Sequence, residues 1–171
     1  MNQNEFTSLV MPFKDKMYRL AKRFLISRDS AEDVTQDIYL KLWNNKEKLS
    51  SYNSIEAYAM TMTKNHCLDV LKAKSSSNLK IIHSNYKDAN SDLDKQTETN
   101  DSVSIIHQLI NDLPEKQKLV IQLRDIEHYS FEEIGKILEI QQTAIRVSLS
   151  RARKTIREKL IKKHEYGLTQ N

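Results

Sequence analysis

Glycine and proline are nearly missing from this chain, with two of each among 171 residues. Ordinary proteins hold about 7% and about 5%. So few turn-formers, and no glycines for bulges, argue for helices throughout rather than for a strand-rich sandwich or barrel. Glycine stands only at 135 and 167, so neither a phosphate-cradling GxxxxGK loop nor a GxGxxG turn can be written on this sequence. A single cysteine, Cys67, excludes an intramolecular disulfide. No stretch approaches the roughly 18 apolar residues of a membrane span. The opening MNQNEFTSLVMPF lacks a basic segment followed by an apolar run, so a soluble, cytoplasmic protein is expected. His66, His83, His107, His128 and His164 form no HExxH pattern and no paired ligand spacing with Cys67. His66 and Cys67 themselves diverge by about 100° on a helix, which suits core or boundary positions. No metal, no cofactor and no small-molecule substrate are expected, and the chain does not read as an enzyme.

What remains is charge and periodicity. The sequence is 39% hydrophobic and 29% charged, with a formal charge of +4 and a pI near 9.0, which suits an anionic partner. Two blocks of helical periodicity flank a polar interval. The first runs from Phe6 to about Lys74, with Phe13, Met17, Leu20, Ala21 and Phe24 and then Val34, Ile38 and Leu42 as core positions. The second runs from Ile105 to about Ile161. Between them SSSNLKIIHSNYKDANSDLDKQTETNDS reads as a linker with at most a short ordered LKII segment. The expected fold class is all-α, with two small helical domains at 1–77 and 105–171 joined by a flexible tether at 78–104. Within the second block, residues 112 to 139 carry 4 cations against 7 acids, and residues 141 to 163 carry 8 against 1. The positive charge belongs to the last helix.

Ser130-Phe131-Glu132-Glu133 has the form of a capping box, with Tyr129 and Ile134 at the positions of a hydrophobic staple. A helix is expected to start there, with Ile134, Ile137 and Leu138 on its buried side and Gly135 at a place too close for a side chain. After a break near Glu139 to Gln141 a longer helix follows, which gives a helix-turn-helix. At about 100° per residue, Ile145, Leu149, Ala152, Ile156 and Leu160 gather on one side of that helix. Val147, Ser150, Arg151 and Lys154 lie opposite, with Arg146, Arg153 and Arg157 on the flank. A helix entering the major groove needs short polar or arginine side chains for base edges and further cations for phosphate. This face offers both, although a solvated basic helix would show the same charge.

The segment LPEKQKLVIQLRDIEHYSFEEIGKILEIQQTAIRVSLSRARKTIREKL resembles region 4 of the extracytoplasmic-function sigma factors, minimal bacterial initiation factors that keep only regions 2 and 4. The resemblance implies a module that reads the -35 promoter element, with base-contacting positions on Arg146, Val147, Ser150 and Arg151. Three positions depart from the family pattern: Glu139 stands at the usual turn glycine, Gln141 at the usual serine cap, and Ala144 at the frequent threonine. Glu139 would then take a left-handed conformation at a cost of about 1 to 2 kcal/mol.

In the first block, Ser30-Ala31-Glu32-Asp33 reads as a helix start, and Asp33, Gln36, Asp37 and Lys41 are left outward. From the residues alone this polar face need only keep a helix soluble. AEDVTQDIYLKLW, however, is similar to region 2.2 of the same family, which implies docking of Asp33, Gln36, Asp37 and Lys41 on the clamp helices of the polymerase β′ subunit. NNKEKLSSYNS has loop character, and Ser54 or Asn53 is placed to cap the helix IEAYAMTMTKNHCLDVLKAK. Tyr58, Thr61, Asn65 and Lys72 share a face of that helix, with Asp69 among them. An aromatic platform beside amide and ammonium groups suits an opened strand, and equally a half-buried tyrosine beside surface polars. The resemblance to regions 2.3 and 2.4, where Asn65 and Asp69 match common residues, implies melting of the -10 element. The family holds a flipped base in the preceding loop, here roughly Asn44 to Asn53. Tyr58-Ala59 replaces the common Trp-Leu pair, and Lys72-Ala73-Lys74 replaces a basic pair; spaced lysines offer less bidentate recognition than arginine.

The expected function is thus that of an alternative sigma factor. It would bind core RNA polymerase through β′ and also the β subunit, bind promoter DNA, and direct promoter-specific initiation, with an anti-sigma factor as the regulatory partner the family often has. A dimeric helix-turn-helix operator-binding regulator is the alternative, though no heptad run offers a self-association surface. A helical protein-protein adaptor is another, and its basic helix would tolerate loss of charge.

Overall fold

The structure, a computed structural model, describes residues 1–78 and 100–168. The described residues are helical, with no strand among them. They form two compact units, the first mainly from residues up to 78 and the second mainly from residues beyond 100. The expected LKII segment lies outside the described residues.

In the first unit, helices α1 (Gln3–Leu25), α2 (Arg28–Asn44) and α3 (Ile55–Asn78) pack against one another. α1 starts on a capping box that the sequence reading passed over: the Asn2 side chain accepts from the Glu5 amide at 2.9 Å, and the Glu5 carboxylate accepts from the Asn2 amide at 2.9 Å. Pro12 falls inside α1 on its exposed side. There the lost backbone donor leaves a carbonyl that water can serve. Phe6, Phe13, Met17, Leu20, Val34, Ile38 and Leu42 are buried as their spacing predicts. Phe6 meets Tyr39 and Trp43 edge to face, each at 5.1 Å between ring centroids. Such contacts add about 0.5 to 1.5 kcal/mol beyond the area buried.

Two expected boundaries are corrected here. α2 begins at Arg28 rather than near Ser30, because Ser27 is the cap and its hydroxyl accepts from the Ser30 amide at 3.3 Å. The segment read as a loop contains a 3₁₀ turn over Lys46–Ser51, held by the fully buried Leu49. Ser54 caps α3, accepting from the Ala57 amide at 3.1 Å, as expected.

The second unit holds α4 (Asn100–Asn111), α5 (Glu115–Ile121), a π-helical segment (Gln122–Ile126), α6 (Phe131–Leu138) and α7 (Gln142–Leu168). α4 begins five residues before the expected Ile105. α5 and α4 both pack on α7. The Ser130 capping box forms, with the Ser130 hydroxyl accepting from the Glu133 amide at 3.1 Å and the Glu133 carboxylate accepting from the Ser130 amide at 2.8 Å. Glu139 ends α6 in the left-handed region at φ 58°, ψ 43°. A methyl on Gly135 would lie 3.1 Å from the Ile140 carbonyl of the turn and 3.8 Å from Ile145 Cδ1 of α7, so the position has little room for a side chain, as expected. Ile145, Leu149 and Ala152 are buried, but Ile156 and Leu160 are only half-buried. The buried stripe is shorter than expected because an open apolar groove of about 640 Å³, lined also by Val103, Ile106 and Ile110, separates that end of α7 from α4.

Candidate nucleic-acid and partner interfaces

On α7 the residues Arg146, Val147, Ser150, Arg151 and Lys154 are all exposed, on the side away from Ile145, Leu149 and Ala152. Val147 is 50% exposed, an unusual place for an apolar side chain and one that suits contact with a thymine methyl. The cations of this helix are not equivalent. Arg153 grips Asp125 of the π-helical segment through two bonds, Nη2 to Oδ1 at 2.6 Å and Nε to Oδ2 at 3.0 Å. The hydrogen bond to Asp125 raises the Arg153 guanidinium further above its ordinary value, so it stays charged at any working pH. Arg146 stands over the Phe131 ring at 4.8 Å, with Arg124 over the same ring at 4.7 Å. Arg124 in turn donates to the Tyr129 carbonyl at 2.7 Å. The sequence reading gave Phe131 and Asp125 no part in this site, since both stand on other elements than α7.

On α2 the residues Asp33, Gln36, Asp37 and Lys41 are exposed along one side, with Leu40 among them at 56% exposure. Asp37 and Lys41 both touch His66 of α3. Further along α3, Asn65, Asp69 and Lys72 are exposed, while Tyr58 and Thr61 are half-buried. The Thr61 hydroxyl donates to the Ala57 carbonyl at 2.9 Å, which occupies its proton. Tyr58 is stacked on Tyr52 at 4.0 Å with an interplanar angle of 15°. A hydrogen bond with Tyr52, and partial burial after it, push the Tyr58 phenol above its ordinary value. One face of the Tyr58 platform is therefore already covered by Tyr52, which is itself 39% exposed. The sequence reading named no residue in the loop before α3; the aromatic character of Tyr52 was the available signal.

Family comparisons bear on both units. Residues 9–77 match the model of sigma-70 region 2, and residues 104–156 match that of sigma-70 region 4. Relatives align along most of the chain. The ECF sigma factor SigW of Bacillus subtilis is 25% identical over 93% of this chain and 90% of its own length. The ECF sigma-E factor of Escherichia coli is 25% identical over 93% of this chain and 88% of its own.

The chain belongs to the ECF sigma factors.

SigE of Mycolicibacterium smegmatis is 26% identical over 90% of this sigma factor, which spans 61% of that relative's length. In fold, the sigma factor is similar to RpoE of Bartonella quintana, solved in complex with the anti-sigma factor NepR, with a TM-score of 0.71, 21% identity and coverage of 91% of this chain and 96% of that one. CnrH, solved with the cytosolic domain of CnrY, gives a TM-score of 0.65 at 19% identity, covering 93% and 89%. The region 2 match contains the α2 and α3 faces, and the region 4 match contains Arg146 to Lys154. No helix among the described residues is long and apolar enough to cross a membrane.

Proposed function

We propose that this ECF sigma factor binds core RNA polymerase through Asp33, Gln36, Asp37 and Lys41 on the β′ clamp helices, with further contacts to β, and directs initiation at its own promoters. α7 enters the major groove at the -35 element, where Arg146, Val147, Ser150 and Arg151 meet base edges and Lys154 meets phosphate. Tyr58, Thr61, Asn65 and Lys72 of α3 engage the opened -10 strand, with the Tyr52–Tyr58 stack as its aromatic platform. The carrying observation is the exposed cationic side of α7 in a region 4 unit that follows a region 2 unit in one chain. Sigma factors are non-catalytic initiation factors; polymerase performs the phosphoryl transfer and this chain supplies promoter choice, in the cytoplasm where both partners are found. The two structural neighbours were each solved with a protein partner, in one case an anti-sigma factor by name. An anti-sigma factor is accordingly proposed as the regulatory partner here. The test combines the purified chain with core polymerase, selects transcribed templates from random DNA and maps their start sites. A shared pair of promoter elements is expected, lost when Arg146 and Arg151 are both replaced by alanine. Absence of any polymerase complex would remove the reading.

A further inference from the structure

Asp37 and Lys41 stand one turn apart on α2, and a single side chain of the neighbouring helix touches both. The His66 ring places Nε2 3.2 Å from Asp37 Oδ2 and Nδ1 3.1 Å from Lys41 Nζ. An ammonium only donates, so Nδ1 must accept, and the one proton of the neutral ring then sits on Nε2, aimed at the carboxylate. The imidazole thus bridges an anion and a cation without adding charge of its own. Its side chain is 22% exposed while that of Asp37 is 55% exposed, so the ring is seated between the helices and the carboxylate projects from them.

We propose that His66 is a positioning residue for the polymerase-docking face, holding Asp37 and Lys41 in fixed directions before the partner arrives. Ordering a loose surface side chain at an interface takes away affinity, and a side chain already held loses less. Glutamine and asparagine divide the two bonds. A glutamine amide nitrogen falls near the Nε2 position and donates to Asp37, whereas an asparagine amide oxygen falls near Nδ1 and accepts from Lys41. This inference rests on the reading of Asp37 and Lys41 as polymerase contacts, and the experiment separates the two.

The full chain, labelled with a fluorophore, is titrated with core polymerase as wild type, His66→Ala, His66→Gln, His66→Asn, Asp37→Ala, Lys41→Ala and the Asp37→Ala/His66→Ala pair. His66→Ala is expected to weaken binding about fivefold, within the range of coupling for contacting residues. His66→Gln recovers most of that loss, but only while Asp37 is present. The double variant binds more weakly than Asp37→Ala alone, but by less than about fivefold, since only the hold on Lys41 is then left to lose. Wild-type affinity in His66→Ala beside a weakened Asp37→Ala overturns the role of His66 and leaves the docking face standing, as do effects that simply multiply in the double variant. Wild-type affinity in both Asp37→Ala and Lys41→Ala overturns the docking face and this inference with it. Should His66→Ala melt early, His66→Gln and His66→Asn decide: each keeps one of the two bonds, so binding weaker than wild type by less than about fivefold in each at equal melting temperature supports the proposal, and wild-type affinity in both overturns it.

Discussion

Arg151 and Arg153 stand two positions apart on α7 with different surroundings. Arg153 is clamped by Asp125 at 2.6 and 3.0 Å, whereas Arg151 is exposed with no ion pair among the described residues. Replacing Arg151 by alanine is expected to weaken promoter binding by the holoenzyme by about 1 to 3 kcal/mol and to relax selectivity at one -35 position, as measured by anisotropy on a panel of substituted promoters. Arg153→Ala is expected to weaken binding less. Its main effect is a loss of no more than about 1 kcal/mol in urea unfolding, because the pair is largely solvated. Cys67 makes a different point. It is fully buried, and burial pushes its thiol up to about 12. The native thiol therefore stays protonated and is expected to resist a disulfide reagent at pH 8 until the protein unfolds. The raised value favours the native state while the thiol is neutral, so this contribution fades as pH climbs from 9.0 toward about 12.

Scarce glycine leaves its mark on the joints between helices. Ile26, His128 and Glu139 all have positive φ, at 63°, 62° and 58°. Ile26 is the most strained, since its ψ of −42° and the 2.6 Å bond from the Ser27 amide to the Leu25 carbonyl describe a tight three-residue turn that a β-branched side chain resists. Its side chain is 53% exposed and offers little packing in return. Ile26→Gly is expected to raise the urea midpoint, with a gain of about 1 kcal/mol, and Glu139→Gly should act in the same direction. Ser130→Ala removes half of the α6 capping box and is expected to cost about 1 kcal/mol in the same measurement. The Ser130 box was legible because both partners lie within one turn of chain. Ser27 was passed over in favour of Ser30, because two serines of equal chemistry stand three residues apart and only the packed path of the α1–α2 joint selects between them.

With promoter contacts proposed in both compact units, the free energy of binding is expected to be distributed between them. Substitutions in separate units add when they share no partners. Arg151→Ala and Asn65→Ala together are therefore expected to lower promoter affinity by the sum of their separate effects, within about 0.5 kcal/mol. Salt dependence reports the cationic side of α7 directly. Each phosphate neutralised contributes about 0.9 to the slope of log affinity against log salt. Lys154→Ala should shrink that slope by about one and weaken all promoters alike.

Much of this protein was readable from its residues. Helical periodicity with almost no glycine determined the all-α class, and the imbalance of 8 cations to 1 acid over residues 141 to 163 marked the side of α7 turned to solvent. Both are local properties, set by residues within a turn or two of each other. Which cations remain available was decided elsewhere. Asp125 reaches Arg153 across 28 positions, His66 reaches Lys41 across 25, and α4 leaves Ile156 and Leu160 half-covered. Hydrogen bonds and packing of this kind depend on where separate helices cross, and side-chain spacing along one helix carries no information about its neighbour. The sequence alone therefore assigned the faces, and tertiary structure assigned the partners that hold each side chain on them.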